Sequence, residues 1–316
     1  MSVSASALSN PFAMTGVLTK DNYRHTLSEL YKKVFFRQFK QPVDGMGLYN
    51  VIQSNLDTYN MSSMVGFGLI PESADENDLP LDQPIQGWPV AISAVDYRGS
   101  VRITQRLRET DQHGTISQLQ GRLTRAAHKT VSYLTVHPLN TGFDTTGGFL
   151  CEDGLYLFDS DRPNADGAAP TWSNLETGAL SQTTLAAARV NMRRLRDERD
   201  LSIDLVPEAL WVSPDNEEMA FKLTQSELAP RELINDKNFL KGKFTVRVLT
   251  DITSTTAWFV QAANDDLNEL YWLWRVHPQP YTFALGTNPN VTVHSVRFSC
   301  QTGAGRPHSI RGSTGA

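Results

Sequence analysis

Cysteine is nearly missing from this chain: two occur in 316 residues. Cys151 and Cys300 lie far apart and form no pattern, which excludes a disulfide framework and a Cys-rich zinc site. They fit a reducing compartment, with one bridge between them as the alternative. No segment approaches 18 consecutive apolar residues, so no transmembrane helix is expected. The opening MSVSASALSNPFAMTG has neither the basic start nor the apolar run of a signal peptide. A surplus of positive charge is lacking as well. Lys and Arg number 29 against 34 Asp and Glu, a net charge of −5, so no overall cationic field draws the chain to nucleic acid. Hydrophobic residues at 40% and charged residues at 20% place the chain in the globular class and away from the disordered one. A chain of this length makes one or two domains and needs no metal or disulfide to complete a core.

The signatures of catalysis are missing too. There is no G-x-S-x-G, no H-E-x-x-H, no Walker A loop and no dinucleotide fingerprint. Gly66-Phe67-Gly68 lacks a third glycine and reads as a turn. The seven histidines (His25, His113, His128, His137, His277, His294 and His308) are scattered, and no two have zinc-ligand spacing beside a carboxylate. His128 and Lys129 fall along a helix, where a solvated or interface position is the simpler reading. Asp159-Ser160-Asp161 lacks the further ligands and the glycine of a calcium loop and reads as a turn. No catalytic residue, cofactor-binding residue or metal ligand is assigned, no cofactor is implied, and the chain is not read as an enzyme.

What is present is a mixed α+β pattern without repeats of 20–50 residues. Asp21 is placed to cap a helix carrying Tyr23, Leu27, Leu30, Tyr31 and Val34, followed by Phe35, Phe36 and Phe39. That aromatic cluster packs either on a neighbour or as an ordinary core helix. Residues 66–89 are loop-like, with prolines, glycines and an acidic tract, and a structureless stretch of this length is usually functional or extended. Two alternating runs, 90–95 and 101–107, flank Asp96-Tyr97-Arg98-Gly99-Ser100 and predict a β-hairpin. A long helix follows, capped by Thr115, with Ile116, Leu119, Leu123, Ala127, Val131 and Leu134 on its apolar stripe, stopping at Pro138. After a strand near 154–158, Ser181 caps a helix with Leu185, Ala188, Met192 and Leu195 inside. A strand at 210–212 leads to Ser213 as N-cap and Pro214 at the first helical position. Strands are expected at 244–250, 257–261, 271–276 and 291–298.

Arg189, Arg193, Arg194 and Arg196 share the outer face of the Ser181 helix, interleaved downstream with Asp197, Glu198 and Asp200. The readings are a solvated face with local ion pairs or a surface for pairing between subunits. Nucleic acid is disfavoured because no aromatic platform interleaves the arginines. Trp272 and Trp274 project from one side of a strand, as packing residues do.

From 152 to 228 the chain becomes specific. EDGLYLFDSDRPN, LSQTTLAAARVNMRRLRD and LVPEALWVSPDNEEMAFKLTQSE together resemble the major capsid subunit of Mu-like tailed bacteriophages. The resemblance rests on Asp153, Gly154, Leu157, Phe158, Asn164, Leu180, Ser181, Leu185, Ala188, Arg189, Met192, Pro207, Leu210, Val212 and Pro214. Ala257-Trp258-Phe259 and the closing SVRFSCQTGAGRPHSIRGSTGA extend it over roughly 90–316. Arg162 departs from it, since relatives often carry His there.

The resemblance implies the tailed-phage, Hong-Kong-type capsid fold. It places an N-terminal arm at 1–65, an extended β-hairpin loop at 66–110, a peripheral domain with a long spine helix at 111–180 and 264–316, and an axial α/β domain at 181–263. It implies self-assembly into hexamers and pentamers of an icosahedral head in the virion, assembled in the host cytoplasm, and no membrane partner. Implied partners are double-stranded DNA on the inner face, bound without sequence specificity, and scaffold, portal and cement or decoration proteins. Some relatives weld their shells through a loop lysine, but no lysine occurs between Lys40 and Lys129, so a non-covalent shell is expected. Numbering from Met1 also suggests that no N-terminal scaffold segment is removed. The alternatives are an encapsulin-like nanocompartment shell and an enzyme with an unrecognised site.

Overall fold

The computed structural model describes residues 31–33, 35–36, 39, 43–65, 68–70, 85–111, 114–164, 171–197, 199–227, 237–262, 268–285 and 288–316. In chain order its elements are β1 (Asn50–Gln53), β2 (Thr58–Val65), β3 (Ile85–Ser93), β4 (Val95–Thr104), α1 (Gln105–Glu109), α2 (Thr115–Thr141) and β5 (Leu175–Glu176). Then come α3 (Gln182–Arg193), β6 (Pro207–Val212), α4 (Glu217–Gln225), β7 (Thr245–Val248), β8 (Trp258–Ala262), β9 (Leu270–Leu285), β10 (Asn288–Ala304) and β11 (Ile310–Ser313). Two sheets have the orders β1-β9-β10-β4 and β5-β11-β8-β6-β7, and β2 and β3 form a separate ribbon. Contacts group the described residues of 1–41, 100–125 and 280–296 into one unit and those of 42–99, 126–279 and 297–316 into another.

In the smaller unit, Tyr31 and Phe35 are fully buried and Phe36 is half exposed. The Tyr31 ring meets His294 edge-on at 5.2 Å, and Phe35 stacks on Phe39 at 5.5 Å. The described part of the arm helix is therefore core of its own chain; Asp21, Tyr23, Leu27, Leu30 and Val34 lie outside the described residues. His294 is held between Thr282 at 3.0 Å and Gln120 at 3.4 Å. Burial, aided by the charge of Arg108, pushes its pKa down to about 4.

Helix α2 shows how tertiary packing overrides a simple stripe. Its buried positions include polar Gln120, Thr124 and Thr135, whereas Leu119, Leu123 and Leu134 are half-buried. The polar groups are tolerated because they are bonded: Thr124 Oγ1 donates to the Gln120 carbonyl at 3.0 Å, and Thr135 Oγ1 to the Ser132 carbonyl at 2.7 Å. Thr115 is not the cap. The Asp111 carboxylate accepts from the Thr115 and Ile116 amides at 2.8 and 3.1 Å, leaving Thr115 as the first helical residue. Nor does Pro138 stop the helix, which runs 27 residues, about 40 Å at 1.5 Å per residue. Proline removes one amide, and so close to the terminus the ladder loses little.

The larger unit is organised by the five-stranded sheet. Leu185, Ala188, Met192 and Leu195 pack with Leu210, Val212, Ala220, Leu223, Trp258 and Val260 in one apolar cluster. At about 1.5–3 kcal/mol per buried large aliphatic side chain, this cluster holds α3 and α4 to the sheet. A capping box fixes the start of α3, with Ser181 Oγ accepting from the Thr184 amide at 3.2 Å and Thr184 Oγ1 accepting from the Ser181 amide at 2.9 Å. Ser213 has N-cap backbone angles, but its hydroxyl donates to the Thr255 carbonyl at 3.4 Å instead of capping. The segment 154–158 is no strand; a single bridge joins Leu150 and Tyr156. Trp272 and Trp274 are buried and meet edge-on at 5.4 Å, as packing residues.

The hairpin expected across 90–107 is also revised. β3 pairs antiparallel with β2, from Thr58↔Ser93 to Val65↔Ile85, while β4 crosses to the edge of the four-stranded sheet beside β10. Asp96 to Ser100 thus lie inside β4 instead of forming a turn. The true ribbon is β2–β3, and it takes in the end of the stretch read as loop.

Candidate assembly surfaces

The ribbon is held only at its root. Tyr59, Met61, Val90 and Ile92 pack with Leu273, Tyr271 and Ile52 of the four-stranded sheet. Gly303 of β10 makes this possible, because a Cβ there would overlap the Cγ1 and Cδ1 of Ile92. Pro89 deprives β3 of one amide, and a bulge falls between Ser62 and Met64. A two-stranded ribbon is marginal alone. Beyond it Leu69 and Ile70 are 81% and 93% exposed, an apolar pair that a lone subunit leaves in water.

A cleft of about 730 Å³ lies between residues 89–93, Tyr97, Leu134, His137, residues 147–152 and residues 301–304. It is poorly equipped for chemistry. Burial pushes the Cys151 thiol up to about 12, so no thiolate nucleophile is available near neutral pH. The Glu152 side chain is fully buried, 3.8 Å from Arg306 Nε.

The arginines of α3 are largely occupied within the chain. Arg193 pairs with Asp204 and Arg196 with Asp200, both at 3.0 Å, and Arg189 lies over the Phe239 ring at 5.7 Å. These exposed pairs support the solvated-face reading and are worth about 0–1 kcal/mol each. Lys129 of α2 reaches Asp251 at 2.5 Å. Asp159 Oδ1 accepts from the Asp161 amide at 2.9 Å, the local bond of a turn. Among the described residues no group of three or more His, Cys, Asp and Glu is arranged to hold a metal ion. Among the described residues, too, no helix is long and apolar enough to cross a membrane.

One organising residue escapes sequence reasoning. Arg162 is fully buried and donates to Asp153 Oδ2 at 2.5 Å, to Asn174 Oδ1 at 3.2 Å and to the Tyr156 carbonyl. Its guanidinium also lies 5.5 Å from the Trp172 ring centre. It ties the D-G-x-x-L-F segment to residues 172–174, and thereby to β11, because Asn174 Nδ2 donates to the Leu157 and Ile310 carbonyls. The only sequence signal was its departure from the pattern.

Comparison with known proteins agrees with this geometry. The model of a phage capsid protein family matches residues 89–307. In fold the chain is similar to a chain of the capsid of Ralstonia phage GP4, with a TM-score of 0.56 and 12% identity over 99% of this chain and 97% of that one. It is also similar to a chain of the procapsid of bacteriophage JBD30, with a TM-score of 0.52 and 17% identity over 94% and 76%. A chain of the capsid of the cyanophage P-SCSP1u gives a TM-score of 0.54 and 11% identity over 87% and 88%. No curated protein matches in sequence.

Proposed function

The chain belongs to the phage capsid protein family, and on that premise we propose that it assembles as hexamers and pentamers into an icosahedral head around double-stranded DNA. Its role is structural, not enzymatic, and its place is the virion shell. The observation that carries the assembly reading is the β2–β3 ribbon, anchored at one end and bearing exposed Leu69 and Ile70 beyond the other. Such an element gains its burial from a neighbouring copy, and closed symmetry turns that repeated contact into a shell. In this reading 1–65 supplies the arm, 66–110 the extended loop, 111–180 with 264–316 the peripheral domain and 181–263 the axial domain, with β2 belonging to the loop it pairs with. A net charge of −5 suits a container whose wall must not pin its genome. DNA contacts are non-specific, and scaffold, portal and cement proteins complete the head, which forms in the host cytoplasm. The test is negative-stain microscopy and size exclusion of the full chain, alone and with a scaffold. Capsomers or closed shells are expected, and a monodisperse monomer under every condition overturns the reading.

A further inference from the structure

We propose that the acidic connection between β2 and β3 of one subunit docks on an arginine cluster of the four-stranded sheet of a second copy. The proposal rests on the shell reading and names a surface and a chemistry for one of its contacts.

The charges of the chain are segregated. Residues 41–97 hold eight of the 34 Asp and Glu and none of the 29 Lys and Arg or seven His, so the rest of the chain carries 26 acids against 29 cations. An acidic segment is thus attached to a weakly basic body. Five of the eight, Glu72, Asp75, Glu76, Asp78 and Asp82, fall in the connection itself. Two such connections repel each other, whereas each is attracted to the body of another copy.

The body offers a matched surface. Neighbouring strands β4, β10 and β9 place Arg98, Arg297 and Arg275 around one carboxylate. Asp96 lies 3.0 Å from Arg98, 2.9 Å from Arg297 and 3.7 Å from Arg275, and Arg275 also reaches Asp57 at 2.7 Å. Three guanidiniums therefore share two carboxylates, one of them 83% exposed. Arg98 is 68% exposed, and Arg297 Nε is out of water without an acceptor. Guanidinium forks of this kind bind carboxylates bidentately. Strand alternation turns Tyr97 and Phe298 to the opposite face, where their rings stack at 5.2 Å, so the arginine face stays polar.

A second copy is the fitting donor. β2 is eight residues long, about 27 Å at 3.4 Å per residue, and carries the chain's own connection away from Asp57 and Arg275 at the ribbon root.

The experiment uses shells of the full chain assembled from equal amounts of ¹⁴N- and ¹⁵N-labelled R98K protein. Carbodiimide activates a carboxylate, the lysine amine at position 98 displaces the urea, and mass spectrometry maps the amide formed. Linkage to a peptide within 66–84, in mixed-isotope pairs, is expected. Absence of that linkage in intact shells, or single-isotope pairs alone, overturns the proposal. In parallel, E72Q/D75N/E76Q/D78N/D82N, which leaves the folded body untouched, is expected to raise the concentration needed for assembly at least about tenfold. Unchanged assembly overturns the proposal while shells still form, so the capsid reading survives. An R98Q/R297Q variant that assembles normally but retains less DNA also overturns it, assigning the face to nucleic acid.

Discussion

Arg162 and Asp153 form an ion pair at 2.5 Å with side chains 0% and 6% exposed, inside the segment that most clearly carries the family pattern. A charge this deep is kept only because each partner neutralises the other and the remaining donors are bonded. Arg162→Met is expected to cost about 3–5 kcal/mol by stranding Asp153, whereas adding Asp153→Leu should recover much of that loss. Urea unfolding followed by tryptophan fluorescence checks both. Equal losses in the single and double variants would show that packing, not charge pairing, makes the site.

Gly303 and Ile92 define the seat of the ribbon. Gly303→Ala forces a β-branched neighbour to move, and overpacking of this kind costs about 1–3 kcal/mol. The damage should be local. Hydrogen exchange is expected to quicken at 58–61 and 90–93 and to stay unchanged at 207–212. Uniform quickening across both regions would mean that the seat is coupled to the whole unit.

Where one helix face or one cap decides the structure, the residues announced it. Ser181 with Thr184, and Leu185, Ala188, Met192 and Leu195, all behave as their spacing predicts. The partner of a strand is another matter. The alternation in 90–95 and 101–107 suits pairing with each other as well as the observed pairing with β2 and β10, because a period of two fixes faces and leaves partners open. Asp111 outcompeted Thr115 as a cap by reaching two amides from four residues upstream, a geometry that needs Gly114 at φ +66°. The empty catalytic search was legible in the sequence. The arginine cluster was not, since Arg98, Arg275 and Arg297 are distant in sequence and meet only through the order of three strands.

Cys151 and Cys300 are free and buried, and desolvation pushes both thiols up to about 12. At pH 8 the folded protein is expected to leave both unmodified by a disulfide-exchange reagent over minutes, while both react at once in urea. Rapid labelling of the native chain would show that one of the two sites opens.

His308 provides a test of acid behaviour with a defined sign. Its ring is buried and stacks on Trp172 at 4.1 Å, and burial, reinforced by Arg306 and Arg162, holds its pKa down at about 3. An unfolded histidine titrates near 6.5. Between those values the unfolded chain binds a proton that the native state refuses, so stability falls as the pH drops below 6.5, by up to about 1.4 kcal/mol per unit. Above 6.5 both states are neutral and the residue contributes no pH dependence. His294, lowered to about 4, adds a similar slope over a narrower window. Carboxylates titrate in the same range, so the test is differential. His308→Phe keeps a stacked ring and removes one proton-binding group, and its stability relative to the parent should be flat above pH 7 and rise steadily from pH 6 to pH 4. A difference that stays constant across that window would show that His308 is protonated in the folded chain, with the Trp172 stack open to water.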